Sequence, residues 1–312
     1  MTRDRAFLKG LRNTGGFLAT LLLAGAAFIA ASLAVPVPGA IRAAVPASGF
    51  LPAPLDFLSF LGSLALLAYW TARRSAVPGW KRVGQVAVLV IGAQTFMTQI
   101  ETAYFLEAFP LLQGSFETYR MVLRGALWGF AAAAAATLLT GGFRKTAELR
   151  EPRFTVDPVR ALARTAILGA AYLVLYMLFG YYVAWQSEAV RLFYSGNADK
   201  LGFFAQWGRS FMEKPEIPVF QWFRGCLWVL CLVPLFRGFT GGRVELTILS
   251  GLALGILPTA QLAFPNPLMP PAVSLAHFWE VSVSTGLLGA LAALWVPEPA
   301  KPAGKPEVRI DR

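Results

Sequence analysis

Eight long apolar runs decide what this chain can become. About 20 consecutive apolar residues cross a hydrocarbon core of ~30 Å. Inside lipid the backbone must satisfy its own hydrogen bonds, which leaves helices or a closed barrel. The runs are continuous and rich in Leu, Ala and Gly, without the alternation of a barrel strand. The expected fold is therefore all-α, a polytopic transmembrane helical bundle of about eight spans over residues 1–296. The spans fall at 17–37, 55–70, 85–106, 120–140, 165–185, 219–236, 246–264 and 274–296. Only 14% of the residues are charged, against about 25% in a soluble domain.

The net charge of +11 suggests nucleic acid until the charges are placed. With the N-terminus inside, the inner segments hold twenty Lys and Arg residues and the outer loops six. That split follows the positive-inside rule. It predicts a multi-pass inner-membrane protein with both termini and the 141–164 link cytoplasmic, and the 186–218 link outside. No basic stripe interleaved with aromatics appears, so the expected partner is the lipid bilayer and not nucleic acid. A competing reading of the first segment is a cleaved signal peptide: Met1–Asn13 is basic, Phe17–Ala31 is apolar, and Ser32-Leu33-Ala34 has small-x-small character. Apolar character continues to Val37, which favours a span. The 186–218 link is expected to carry a surface helix, and the polar, Pro-rich tail 297–312 to be disordered and cytoplasmic. Cys226 and Cys231, five apart on one helix, lie beyond disulfide reach.

One string recurs. Arg124-Gly125-Ala126-Leu127-Trp128 returns as Arg224-Gly225-Cys226-Leu227-Trp228, and each copy comes after a span ending in Gln-x-Glu, at Gln99–Glu101 and Gln186–Glu188. This predicts tandem two-helix repeats at 85–140 and 165–236, with Glu101 matching Glu188 and Arg124 matching Arg224. A weaker third unit would be 246–296. Parallel repeats of this kind occur in transporters.

Ionisable residues within spans are expensive, about 2.5–3.5 kcal/mol each. Here they gather in the outer third of the bundle: Asp56, Glu101, Arg120, Arg124, Glu188, Arg191, Arg224, His277 and Glu280. Gln94, Thr98 and Glu101 share one helical face, and Gln99 lies on the adjacent one. The ligand-binding set expected to converge is Glu101, Arg124, Glu188, Arg224, His277 and Glu280, with Gln99 and Arg120. Arg124 is expected to pair with Glu101, and Arg224 with Glu188.

These arginines admit two readings. They lock helices together as ion pairs, or they present forked donors to an anion. His277, the single histidine, and Glu280 stand at i and i+3. Zinc wants three or four protein ligands, so this pair alone makes no metal site. No phosphate loop, dinucleotide fingerprint, His-Glu-x-x-His or Gly-x-Ser-x-Gly is present, and no cofactor is expected. The leading functional reading is an outward-facing pocket for a polar, anionic small molecule or lipid head group, with a transport role first. The alternatives are an intramembrane enzyme acting on outer-leaflet lipid or peptide and a structural membrane subunit.

Overall fold

A computed structural model of the chain describes residues 3–113, 116–144 and 151–300, with side chains from Asn13 onward. The helices are α1 (Arg3–Ala34), α2 (Gly39–Ala43), α3 (Leu55–Arg73), α4 (Gly79–Ile91), α5 (Met97–Tyr104) and α6 (Glu117–Leu139). They continue as α7 (Pro158–Tyr182), α8 (Glu188–Ser195), α9 (Phe203–Glu213), α10 (Glu216–Gly238), α11 (Arg243–Ile256) and α12 (Pro271–Trp295). Among the described residues, seven helical runs are long and apolar enough to cross a membrane. These are α1 from Asn13, α3, α4 continued through α5, α6, α7, α10 and α12. The chain has the build of a membrane-embedded protein.

The expected span at 246–264 is not one of the seven. It is the 14-residue helix α11 followed by a 3₁₀ turn at Ala260–Ala263. At 1.5 Å per residue α11 is about 21 Å long, short of a hydrocarbon core. It nevertheless runs the depth of the bundle beside α12. Arg243 at its start donates to the carbonyls of Ala293 (2.7 Å) and Pro297 (2.9 Å) at the end of α12. Phe264 beyond its end packs on Phe57 and Phe60 near the start of α3. Small residues allow the close approach: a Cβ on Gly255 would sit 2.7 Å from the Ser282 carbonyl, and one on Gly289 would strike that of Ser250. Such contact is how helices associate where lipid removes the hydrophobic drive. Thr285 adds a hydrogen bond to the Leu254 carbonyl, 2.6 Å.

The ends of the bundle differ. One, here the basic end, gathers the starts of α4, α7 and α11 and the ends of α3, α6, α10 and α12. There Phe154–Thr155 (β1) pairs antiparallel with Glu298–Pro299 (β2). The Arg153 amide donates to the Phe239 carbonyl (2.8 Å), and the Ala300 amide to the Arg153 carbonyl (2.9 Å). Arg164 donates to the carbonyls of Trp295 and Val296, satisfying acceptors that a helix C-terminus leaves open. The expectation of a disordered tail is therefore wrong for residues 297–300, which are stapled to the bundle; residues 301–312 lie outside those described. At the opposite end, the 186–218 link forms two amphipathic helices, α8 and α9, where one was expected.

The recurring Arg-Gly-x-Leu-Trp string plays one part twice. A Cβ on Gly125 would overlap the Thr95 side chain of the preceding run, and one on Gly225 would lie 2.7 Å from Tyr172 of α7. Trp128 and Trp228 are both buried. The Gln-x-Glu half does not match. Gln99 lies one turn beyond its crossing contact at Thr95, whereas Gln186 lies four turns beyond Tyr172, past the end of α7. Glu101 therefore occupies no position equivalent to Glu188.

Candidate functional site

The site begins with a fault in a helix. Between α4 and α5, residues Gly92–Phe96 form a π turn, which inserts extra backbone and rotates the residues beyond it; such bulges collect at functional sites. Gln94 and Thr95 stay buried against neighbours, while Thr98, Gln99, Glu101 and Thr102 turn to a cavity of about 740 Å³. The simple 3.6-residue periodicity that put Gln94 with Glu101 on one face fails at this turn.

The cavity lies in the half of the bundle opposite the basic end. One wall is the last turns of α1 (Phe28, Ser32, Pro36), another the 258–269 segment between α11 and α12. That segment carries Pro258, Pro265 and Pro267 into the lining. Most of the lining is apolar, and Glu101, Glu117, Arg42, Arg124 and Arg224 supply its charged groups.

Arg224 is, together with Glu117, the most deeply buried of these groups. Only 1% of its side chain is exposed. Its fork meets Glu101 in two parallel bonds of 2.6 and 2.5 Å, the strongest form of carboxylate recognition. Gln221 and Tyr172 accept weaker contacts at 3.2 and 3.4 Å, and the Trp228 ring lies 5.8 Å from the guanidinium. The expected Arg224–Glu188 pair does not form. Glu188 is exposed at the start of α8 and does not line the cavity.

Arg124 does not pair with Glu101 either. Its carboxylate is Glu117, on the same helix two turns earlier, buried to 1% exposure. Arg120 also approaches Glu117, at 3.7 Å. Both arginines then reach the chain just past α1: Arg124 donates to the Val35 carbonyl (3.1 Å) and Arg120 to that of Pro36 (2.6 Å). Arg120 therefore fastens α1 and does not line the cavity, whereas Arg124 and Glu117 do. Arg42 lines it too, bound to the Val37 carbonyl at 2.9 Å with no carboxylate partner among the described residues.

His277 reaches the same cavity from α12. Its Nδ1 lies 2.8 Å from the Glu280 carboxylate, and its ring meets Tyr194 edge-on at 5.5 Å. Its Nε2 is buried and has no hydrogen-bond partner among the described residues. Glu280 itself faces a second, smaller cavity behind the histidine. Tyr194, on α8, is held well above the ordinary phenol value by burial, with Glu101 and Glu280 adding to the shift. It stays protonated and serves as a neutral group.

Of the expected set, Glu101, Gln99, Arg124, Arg224 and His277 therefore converge on one cavity, Glu280 stands directly behind it, and Glu188 and Arg120 lie elsewhere. Glu117 and Arg42 belong to the site and were not anticipated. Among the described residues no three His, Cys, Asp or Glu side chains come together to hold a metal ion. No family model, curated protein or solved structure matches the chain.

Proposed function

We propose that this is a multi-pass inner-membrane protein whose cavity binds an amphiphile with an anionic head group, entering from the outer leaflet. The observation that carries the reading is the composition of the cavity: a mostly apolar lining, part of it from the last turns of α1, with three arginines against two glutamates. Such a lining suits a molecule with one greasy and one negative part. Arg42, lacking a carboxylate, is the first donor for the head group; Arg124 and Arg224 hold the local potential positive behind their own partners. The basic end faces the cytoplasm in this reading, with α11 completing eight crossings and both termini inside.

Transport fits less well. At the basic end the β1–β2 staple and arginines on helix-end carbonyls tie the helices together, which favours a pocket reached from one side. An acid–base enzyme is the second reading, favoured by the Glu280-oriented His277 with an unpartnered Nε2. That nitrogen is buried and would have to turn outward before taking a proton.

The test is titration of short-chain phosphatidylglycerol into the detergent-solubilised protein, monitored by tryptophan fluorescence. Saturable binding is expected, weakened about tenfold (about 1.4 kcal/mol) by Arg42→Glu and abolished by Ser32→Trp, which fills the cavity from the loosely packed α1. Unchanged binding in both variants would place the lipid elsewhere and sink the proposal.

A further inference from the structure

Behind His277 the second cavity, about 260 Å³, has a different chemistry. Its wall is aromatic: Phe105, Tyr176, Tyr181, Trp185, Tyr194 and Trp207 all line it. Trp207 comes from the peripheral α9 and stands edge-on to Tyr176, ring centroids 6.1 Å apart. Two carboxylates reach the cavity: Glu101, whose charge Arg224 already meets, and Glu280, which His277 holds by one oxygen; Lys214 also lines it. Glu280 is 4% exposed. One of its oxygens is held by His277; the other has no hydrogen-bond donor among the described residues and lies 3.9 Å from where a Cβ on Gly180 would stand.

This combination selects against most ligands. An anion would meet the open oxygen of Glu280 and the negative faces of aromatic rings. A hard metal ion wants six or more oxygens, which aromatic walls do not supply. A weakly hydrated organic cation gains from both parts: ring faces attract it through their quadrupoles, and the open Glu280 oxygen balances its charge. Adding a side chain at Gly180 would narrow the space beside that oxygen.

We infer that the second cavity binds a substituted ammonium group, held between its aromatic rings and Glu280. Where that ammonium belongs to a zwitterionic head group, the assignment rests on the proposed function of the first cavity: the anionic part lies there, and Glu101, Phe105, Tyr194 and His277 form the wall common to both. A free alkylamine would use the second cavity alone.

The probe is tetramethylammonium chloride, titrated calorimetrically into the detergent-solubilised protein with sodium chloride at equal ionic strength as the control. Saturable binding is expected, weakened about tenfold or more by Trp207→Leu and by Glu280→Gln. Arg209→Gln, on the exposed face of α9, leaves it unchanged. Trp207 sits on a helix outside the bundle, so its variant reads the site even if Glu280→Gln fails to fold. Tetramethylammonium behaving like sodium, or binding to Trp207→Leu as to the wild type, overturns the inference. Repeating the titration in nanodiscs separates the sources: weaker apparent binding in phosphatidylcholine than in phosphatidylglycerol marks a lipid head group, and equal binding marks a free amine. If Ser32→Trp leaves phosphatidylglycerol binding intact while tetramethylammonium still binds, the first cavity's assignment fails and the second stands.

Discussion

Removing the carboxylate of Glu101 should cost more than removing the guanidinium of Arg224, because their burial differs. Arg224 is 1% exposed, whereas 31% of the Glu101 side chain is open to the cavity. Glu101→Leu strands a buried guanidinium whose remaining contacts are Gln221 at 3.2 Å and Tyr172 at 3.4 Å. Breaking a buried pair from one side costs about 3–5 kcal/mol. Arg224→Met leaves instead a carboxylate that cavity water can solvate, and its main structural loss is the donor to buried Gln221, about 1–3 kcal/mol. The double variant Glu101→Leu/Arg224→Met should recover part of the loss of Glu101→Leu, since replacing both members of a buried pair is often near neutral. The assay is reversible SDS unfolding of the purified protein in mixed micelles. The Arg209–Glu213 pair, 58% exposed on both sides, serves as the reference and should be worth only about 0.3–0.5 kcal/mol. If Glu101→Leu costs no more than breaking that surface pair, or if the double variant is the least stable of the three, the pair does not bear on the fold as described.

The packing sets three further outcomes. Gly289→Leu should destabilise by at least about 1–3 kcal/mol, because its side chain would enter the Ser250 backbone; a wild-type unfolding midpoint would mean α11 and α12 do not meet there. Glu298 is held below the ordinary carboxylate value by the Arg160 hydrogen bond and charge, with Arg164 adding. A depressed folded value gives stability that is present above about pH 4.5 and lost as pH falls through the folded value, so wild type should exceed Glu298→Gln at pH 6 and converge with it in acid. Equal stability at pH 6 would remove the staple from the account. Asn197→Cys, in a background lacking Cys226 and Cys231, should react with an impermeant maleimide from the outside of intact cells; reaction only after lysis would invert the topology.

The bundle was legible because hydropathy acts over a whole helix and tolerates local error. Apolar length placed the seven long runs with ends off by up to seven residues, and the same signal overextended 246–264, where the helix ends at Ile256 before a 3₁₀ turn. Composition alone could not distinguish that segment from a longer helix. The site was legible by depth but not by pairing. Counting positions along each span put Glu101, Arg120, Arg124, Glu188, Arg224, His277 and Glu280 at one level; Glu101, Arg124, Arg224 and His277 line one cavity, whereas Glu188 and Arg120 do not. Which acid serves which arginine depends on how helices rotate, and the π turn at Gly92–Phe96 shifts that rotation. Arg224 and Glu101 are 123 residues apart, with no local pattern to join them. Glu117 is the opposite case. With Arg120 and Arg124 it stands at i, i+3 and i+7, one stripe of a single helix, and the pairing could have been read directly. It was missed because a charged residue at the mouth of a span looks like loop. Buried to 1% exposure, Glu117 marks the first turn of α6 itself, and its two arginines carry that turn onto the Val35 and Pro36 carbonyls just past α1. The wall of the cavity is thus set by the acid at the start of one helix and the backbone at the end of another, a dependence that hydropathy, which treats each span alone, has no means to register.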